Sequence, residues 1–267
     1  MPLLSLRNLL NRRALIGNLV LRDFQQRYVG SSMGWLWAFV HPAVMLVSYT
    51  FVFGVVLQQK TPPDSGTQSF ALHIFAGILP WLLFQDSVQR SATSVVDSSN
   101  LVTKTLFPSE VLPVSIFFSN LISHLIGIVL LMGIAAAAVG KINLAVGLVP
   151  VYLFLLAIFT VGISWIAAGL QVFLRDTSQV LAILMTFWFW MTPIFFSLDR
   201  LRLPDWVRLC LRANPLAQVV IGYRGAFLSG HSPDPIDLAL LAAVSLITFL
   251  LGGLFFRRTK RAFGDVL

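Results

Sequence analysis

Charge is scarce in this chain. Of its 267 residues only 11% are Asp, Glu, Lys or Arg, while 57% are hydrophobic and the mean hydropathy is +0.83. A soluble domain carries about a quarter charged residues, so this composition excludes one and describes an integral membrane protein. Cysteine is nearly absent as well: the lone Cys210 excludes an intrachain disulfide and any thiolate metal cluster. Acid is scarcer than base, 11 residues against 19, and the resulting net charge of +8 sits in a chain too apolar for a soluble basic protein. It points to lipid headgroups and topology. Nucleic acid is not an expected partner, because no basic run is interleaved with aromatics. Missing too are a Gly-x-x-x-x-Gly-Lys-Ser/Thr phosphate loop, a His-Glu-x-x-His pair and any cluster of His with Asp or Glu that would hold a metal. The chain is therefore not expected to be an enzyme by itself, and uphill transport would draw on a partner or an ion gradient. Internal repeats and paired intramembrane acids, the marks of a secondary transporter, are absent.

What is present is a series of uncharged stretches. They run from about Trp35 to Leu57, Phe70 to Phe84 (extendable to Val96 through Asp86 and Arg90), Val111 to Val139, Leu144 to Leu174, Ser178 to Leu198 and Leu238 to Phe256. A spanning helix uses roughly 20 apolar residues, so the length holds about six spans and no separate catalytic domain. The third and fourth stretches exceed that minimum, which implies tilt. Arg7, Arg12, Arg13, Arg22 and Arg27 precede the first span, and Arg257, Arg258, Lys260 and Arg261 follow the last. By the positive-inside rule both termini face the cytoplasm, which requires an even number of spans. The stretch from Asp199 to Ile236 runs against the rule: it falls outside yet carries Arg200, Arg202, Arg208, Arg212 and Arg224. The rule is weaker for long segments. No signal peptide is expected, since the first apolar run comes late and lacks a small-residue cleavage site. The expected fold is an all-α integral membrane protein in a single domain, residues 1–267. An interface helix occupies 1–34, spans one to five 35–198, an external re-entrant segment 199–236, span six 237–256 and a cytoplasmic tail 257–267.

Several segments are not ordinary spans. Ile16, Val20, Phe24 and Tyr28 recur every four residues among Arg22, Asp23, Gln25, Gln26 and Arg27. That pattern predicts an amphipathic helix in the cytoplasmic interface, either a topological anchor or a docking surface for a cytoplasmic partner. Between spans two and three, Asp97 or Ser98 can cap a short helix that Pro108 must interrupt or follow. It is a plain turn of the chain or a lever. Asp205 to Ala213 and Leu216 to Phe227 are two helical patterns too short to cross about 30 Å of hydrocarbon. Asn214 caps the second and Pro215 suits its first turn. Trp206 and Tyr223 are expected at headgroup depth, and the arginines there to snorkel outward or meet an anionic substrate.

Two aromatic stripes admit two readings. Trp35, Phe39, Pro42, Leu46, Tyr49 and Phe53 share a face of the first span, as do Leu184, Phe187, Met191 and Ile194 in the fifth. They are packing surfaces or the wall of a conduit, where aromatic rings stack on the C–H faces of sugars. In the third span Asn120, His124 and Gly127 share a face, and close helix packing with an interhelical hydrogen bond is favoured over a proton relay.

The run Arg22-Asp-Phe-Gln-Gln-Arg-Tyr-Val-Gly-Ser-Ser-Met-Gly-Trp-Leu-Trp37, with His41-Pro42 and Phe51-Val-Phe-Gly54, resembles the opening of polysaccharide-export permeases of the type-2 ABC transporter class. Shorter matches are Lys104-Thr-Leu-Phe-Pro108, Leu112-Pro113, Phe173-Leu-Arg-Asp176, Thr192-Pro193, Asn214-Pro215 and Phe263-Gly-Asp-Val266, so the likeness spans nearly the whole chain. The resemblance implies a homodimer of six-span subunits in the cytoplasmic (inner) membrane. Each subunit would engage a separate ATPase that binds ATP and Mg, and the pair would export a lipid-linked polysaccharide. O-antigen is favoured over teichoic acid and capsule. By analogy Arg22, Asp23, Arg27 and Tyr28, with Leu101, Lys104, Phe107 and Pro108, would couple to that ATPase. Trp35, Phe39, Tyr49, Phe53, Phe187 and Met191 would line the conduit. Trp206, Asn214, Pro215, Tyr223 and Arg224 would shape its exit. The alternatives are an ATP-independent carrier or channel, or an accessory subunit of a membrane glycan-synthesis complex.

Overall fold

Helix capping and proline placement set where several of the elements begin. The computed structural model describes residues 12–27, 29–61, 65–104, 107–139, 143–196, 204–231 and 234–267. Helix α1 covers Arg13–Gln26. A 3₁₀ turn, Gly34–Leu36, leads into α2, Trp37–Tyr49, which widens into π-helical turns over Thr50–Val56. Pro42 lies inside α2 and cannot donate to the helix ladder. Helix α3 is Phe70–Asp97, started by Ser69, whose hydroxyl accepts from the Leu72 amide at 3.4 Å. Next come α4, Ser99–Lys104, and α5, Val111–Val139. A 3₁₀ turn at Leu144–Leu148 opens α6, Val149–Phe173. After a three-residue connection α7 covers Thr177–Met191, and two short helices follow, α8 at Asp205–Ala213 and α9 at Pro215–Arg224. The latter continues in π turns to Ser229 and stops at Gly230, whose left-handed φ of 74° lets its amide close back on the Gly225 carbonyl at 2.7 Å. Helix α10, Pro235–Thr259, begins with Asp234 accepting from the Ile236 amide at 2.9 Å. A 3₁₀ turn, Lys260–Ala262, ends in α11, Phe263–Val266.

Among the described residues, five helical stretches are long and apolar enough to cross a bilayer: Gly34–Val56, Phe70–Asp97, Val111–Ala138, Leu144–Phe173 and Pro235–Val266. The second takes its long form, straight through Asp86 and Arg90. The fifth expected span, Ser178 to Leu198, does not appear as drawn. Its helix stops at Met191 after 15 residues, about 22 Å of axis against a hydrocarbon core of about 30 Å. The cause is Pro193: its ring drives the preceding residue off the helical conformation, and Thr192 is extended, with ψ 131°. The structure thus supports an all-helical membrane fold with five full-length candidate spans and a sixth, shorter apolar helix.

Helix α3 is the axis of the bundle. In its most apolar stretch 83% of the residues are buried inside the protein, against 0% for the first span, which hangs on the outside. Around α3 stand α5, α6, α7 and α9. Its Trp81 and Phe84 meet Phe159 of α6 and Trp188 and Phe189 of α7, with ring centroids 5.2 to 5.5 Å apart. Helix α10 packs on the outer face of α6 and α1 lies along α5.

The α6–α10 crossing depends on glycine. A methyl group on Gly252 would come within 2.2 Å of the Gly162 carbonyl oxygen, and one on Gly162 within 2.7 Å of the Thr248 carbonyl oxygen. Small residues let the backbones approach this closely, which is how helices gain packing where lipid supplies no hydrophobic drive. Gly252→Val is expected to cost about 1–3 kcal/mol of stability by overpacking, read as a lower melting temperature in detergent. Gly133→Ala in α5, where nothing lies within 4 Å, should leave it unchanged or raised. Equal melting temperatures for the two variants would refute the close crossing.

Candidate functional site

Asp23 and Arg27 stand one turn apart on α1, and both turn inward. The Arg27 Nη2 donates to Asp23 Oδ2 at 3.0 Å, to Ser119 Oγ at 2.9 Å and to Asn120 Oδ1 at 2.6 Å. From α3, Arg90 donates to Asp23 Oδ1 at 2.5 Å and to Asn120 Oδ1 at 3.2 Å, while the Asn120 amide donates to Ser87 Oγ at 2.9 Å. One carboxylate thus joins two guanidiniums and fastens α1 to α3 and α5. Asp86, one turn before Arg90, lies within electrostatic reach of Arg27, Arg90 and His41. Partial burial works against the Asp23 carboxylate, but hydrogen bonds from Arg90, Ser119 and Arg27 and the Arg90 charge outweigh it and hold its pKa below 3.8. Arg22 is exposed on the opposite side of α1. Tyr28 and the Lys104 side chain lie outside the described residues. On α4 Leu101 is exposed, whereas Phe107 is partly buried against the core and Pro108 is buried, its carbonyl accepting the Val111 amide at 2.9 Å.

The aromatic stripe of the first span divides in two. Trp35 and Phe39 are exposed, with ring centroids 5.8 Å apart. Tyr49 and Phe53 turn toward the protein, and Phe53 packs on Phe70 of α3 and on Phe195 beyond α7, at 5.6 and 5.8 Å. On α7 Phe187 and Met191 are exposed. The first span and α7 thus each leave two of the expected site residues uncovered.

At the opposite end of α3 the two short helices build a second polar cluster. Asn214 is its hub: it accepts from the Leu216 amide at 3.1 Å and from Trp188 Nε1 at 3.0 Å, and it donates to Thr192 Oγ1 at 3.1 Å. Pro215 is buried in the first turn of α9. Trp206 is exposed on α8, as a headgroup-depth ring would be. Tyr223 and Arg224 depart from the sequence expectation. Tyr223 is fully buried and hydrogen-bonded to His124 Nε2 at 2.9 Å. Arg224 neither snorkels nor faces open space: its guanidinium donates to the carbonyls of His73 at 3.0 Å, Pro193 at 2.7 Å and Ile194. The carbonyls past α7 are freed by the break at Thr192-Pro193, and Arg224 satisfies them. Gly77 makes room for it, since a methyl there would come within 2.8 Å of its Nη2.

Sequence reasoning missed Arg90, Ser119 and Asn120 as partners of α1. The available signal was Arg90 itself, an ionisable residue inside an apolar run. One further sequence match carries no weight: Gly30-Ser-Ser-Met-Gly34 has the Gly-x-Ser-x-Gly spacing of a nucleophile elbow. It joins two helices, however, where that chemistry requires a strand-to-helix turn.

Comparison with known proteins shows which family the chain resembles along its length. The family model described as ABC-2 type transporter matches residues 14–228. The chain is 31% identical to an O-antigen export system permease protein, RfbA, of Myxococcus xanthus over 97% of both chains. It is 26% identical to the RfbA permease of Klebsiella pneumoniae over 92% of both. To the polysialic acid transport protein KpsM of Escherichia coli it is 25% identical over 94% of this chain and 95% of that one.

The Asp23 network generates a stability prediction. Asp23→Ala leaves two guanidiniums facing each other and is expected to cost between about 1 kcal/mol, as for an exposed pair, and about 3, as for a buried one. Arg90→Ala should add little on top, and full additivity in the double variant, read by thermal unfolding, would show that the pair is not coupled. Because the folded pKa is lowered, this stabilisation is full above the ordinary carboxylate value of 3.8 and is lost only as pH falls through the folded pKa. The Asp23→Ala penalty should therefore be the same at every pH from about 5 to 8.

Proposed function

We propose that this chain, which belongs to the ABC-2 type transporter family, is the permease of an exporter that moves a lipid-linked polysaccharide of the O-antigen type across the cytoplasmic membrane. The observation that carries the reading is the likeness to permeases named for O-antigen export, sustained along 97% of the chain. Family membership sets aside the ATP-independent carrier and the glycan-synthesis accessory subunit. With no phosphate loop in its sequence, the chain draws its energy from a separate ATPase that holds ATP and Mg.

In this reading two copies of the chain pair in the membrane, both termini cytoplasmic, each on one ATPase. ATP-driven closure of the ATPases displaces α1 and α4. Arg22 and Leu101 face the ATPase, with Tyr28 and Lys104 assigned to the same partner, while Asp23 and Arg27 pass the displacement of α1 into α3 and α5. Phe107 and Pro108 back that surface from within the bundle. The glycan advances between the first span and α7 of the two copies, along Trp35, Phe39, Phe187 and Met191. Tyr49 and Phe53 back that wall. Sugar hydroxyls stripped of water in hydrocarbon lose several kcal/mol each, so a conduit must be wet or offer stacking faces and polar partners. Trp206, Asn214, Pro215, Tyr223 and Arg224 shape the exit, the last two from inside the protein as the frame that holds it.

Purification of the tagged chain from native membrane in mild detergent should bring down an ATPase with a phosphate loop, one copy per permease. Arg22→Glu is expected to lower that recovery and the glycan at the cell surface, at normal membrane levels of the chain. Phe39→Ala with Phe187→Ala should slow surface display while ATPase recovery holds. Absence of any such ATPase from intact, folded chain would overturn the reading.

A further inference from the structure

The segment Phe263-Gly-Asp-Val266 has no part in the function so far, yet its first residue is buried. We propose that residues Lys260–Val266 form a positioning clamp that seats the short helix α4 against the foot of the bundle. The clamp also links α4 to the α6–α10 pair. This rests on the reading of α4 as the ATPase-coupling element.

Three contacts carry it. Lys260 forms an ion pair with the Glu110 carboxylate, 150 residues earlier in the chain. Glu110 stands immediately before α5, and its backbone carbonyl accepts Trp165 Nε1 from α6 at 3.0 Å. One residue therefore ties the foot of α5 to α6 and to the tail. Phe263, only 1% exposed, sits between Phe173, the last residue of α6, and Phe256 near the end of α10, with ring centroids 6.1 and 5.5 Å away. Finally, α11 lies against α4 and is the element that α4 meets most.

A tail that served topology alone would need only bases facing headgroups. Arg257, Arg258 and Arg261 are exposed and suit that role. Lys260 and Phe263 do not: one is turned to an acid and the other is buried. Their effect is mechanical. Apart from the clamp, α4 is joined to the bundle chiefly through its chain neighbour α3. With it, a displacement of α4 also reaches α10 and α6, whose glycine crossing makes them one stiff unit, and α10 in turn contacts α9. The clamp gives the coupling helix a second route to the far end of the protein, independent of Asp23 and Arg27.

The test uses the full chain in lipid nanodiscs with the ATPase that co-purifies with it. Lys260→Glu and Glu110→Lys should each weaken ATPase binding about fivefold or more, at the lower end of ordinary coupling between sites. The exchanged pair, Lys260→Glu with Glu110→Lys, should recover binding to within about twofold of the native chain. Phe263→Leu should bind better than Phe263→Ala, and glycan displayed per ATP hydrolysed should follow the same order. Native affinity in both single charge variants, or failure of the exchanged pair to recover, would overturn the clamp. Leu101→Asp separates the two readings. If it lowers ATPase affinity while the tail variants do not, the clamp alone fails; if it leaves affinity unchanged, α4 is not the coupling element and the clamp falls with it.

Discussion

In hydrocarbon no water is available to a buried amide, carbonyl or charge, so each polar group at depth must find its partner within the protein. The structure answers that demand at successive levels along α3. Near one end Asp23 satisfies Arg27 and Arg90, with Asn120 and Ser119 taking the remaining donors. Deeper in, His124 pairs with Tyr223. Near the other end Arg224 gathers three carbonyls, two of them released by the break after α7. Remove the demand and none of these residues would be held where it is. The interface helix would float on the surface, and the segment after Met191 would have no anchor.

In the proposed reading these anchors are what would let a chain without a chemical engine transmit force. A helix lying on a bundle through apolar contact alone can slide, because lipid competes for the same surface on nearly equal terms. A helix held by a shared carboxylate cannot shift without separating charges in a medium that penalises it. Helix α1 is held in this second way, and the tail is held by an ion pair together with a buried ring. Both fastenings sit at the end of the bundle assigned to the ATPase. The opposite end, by contrast, is organised around Asn214 and Arg224, whose partners are mostly backbone carbonyls, amides and neutral side chains. The two ends of the protein thus differ in polar chemistry, with ion pairs at the Asp23 and Lys260 end and a single guanidinium held by carbonyls at the other.

How far the fold was legible follows from the range of each signal. Long apolar runs report directly on membrane crossing, so Val111–Val139 and the core of Pro235–Thr259 were readable to within a few residues. Capping chemistry is equally local: Asn214 with Pro215 marks a helix start in the letters alone. The fifth span was misjudged because the apolar run continues past Pro193. Hydropathy weighs a proline lightly, whereas backbone sterics end the helix there. Tyr223 and Arg224 were misplaced for a different reason. An amphipathic ring or an arginine near a short helix reads as interfacial, and only the packing of α9 against α3 shows both pointing inward.

What the sequence determined on its own is the class of the molecule. Scarce charge, one cysteine and repeated apolar runs leave a membrane bundle, and the Arg22 to Trp37 run carries the family likeness, since each of these is a property of neighbouring residues. What tertiary structure alone decided is which polar residues meet. Asp23 with Arg90 is a separation of 67 residues, Arg224 with His73 one of 151 and Lys260 with Glu110 one of 150. Such pairs have no local periodicity to announce them. They form because the packing of the helices brings distant residues within reach of one another, and a partly or fully buried charge is costly to leave unpaired.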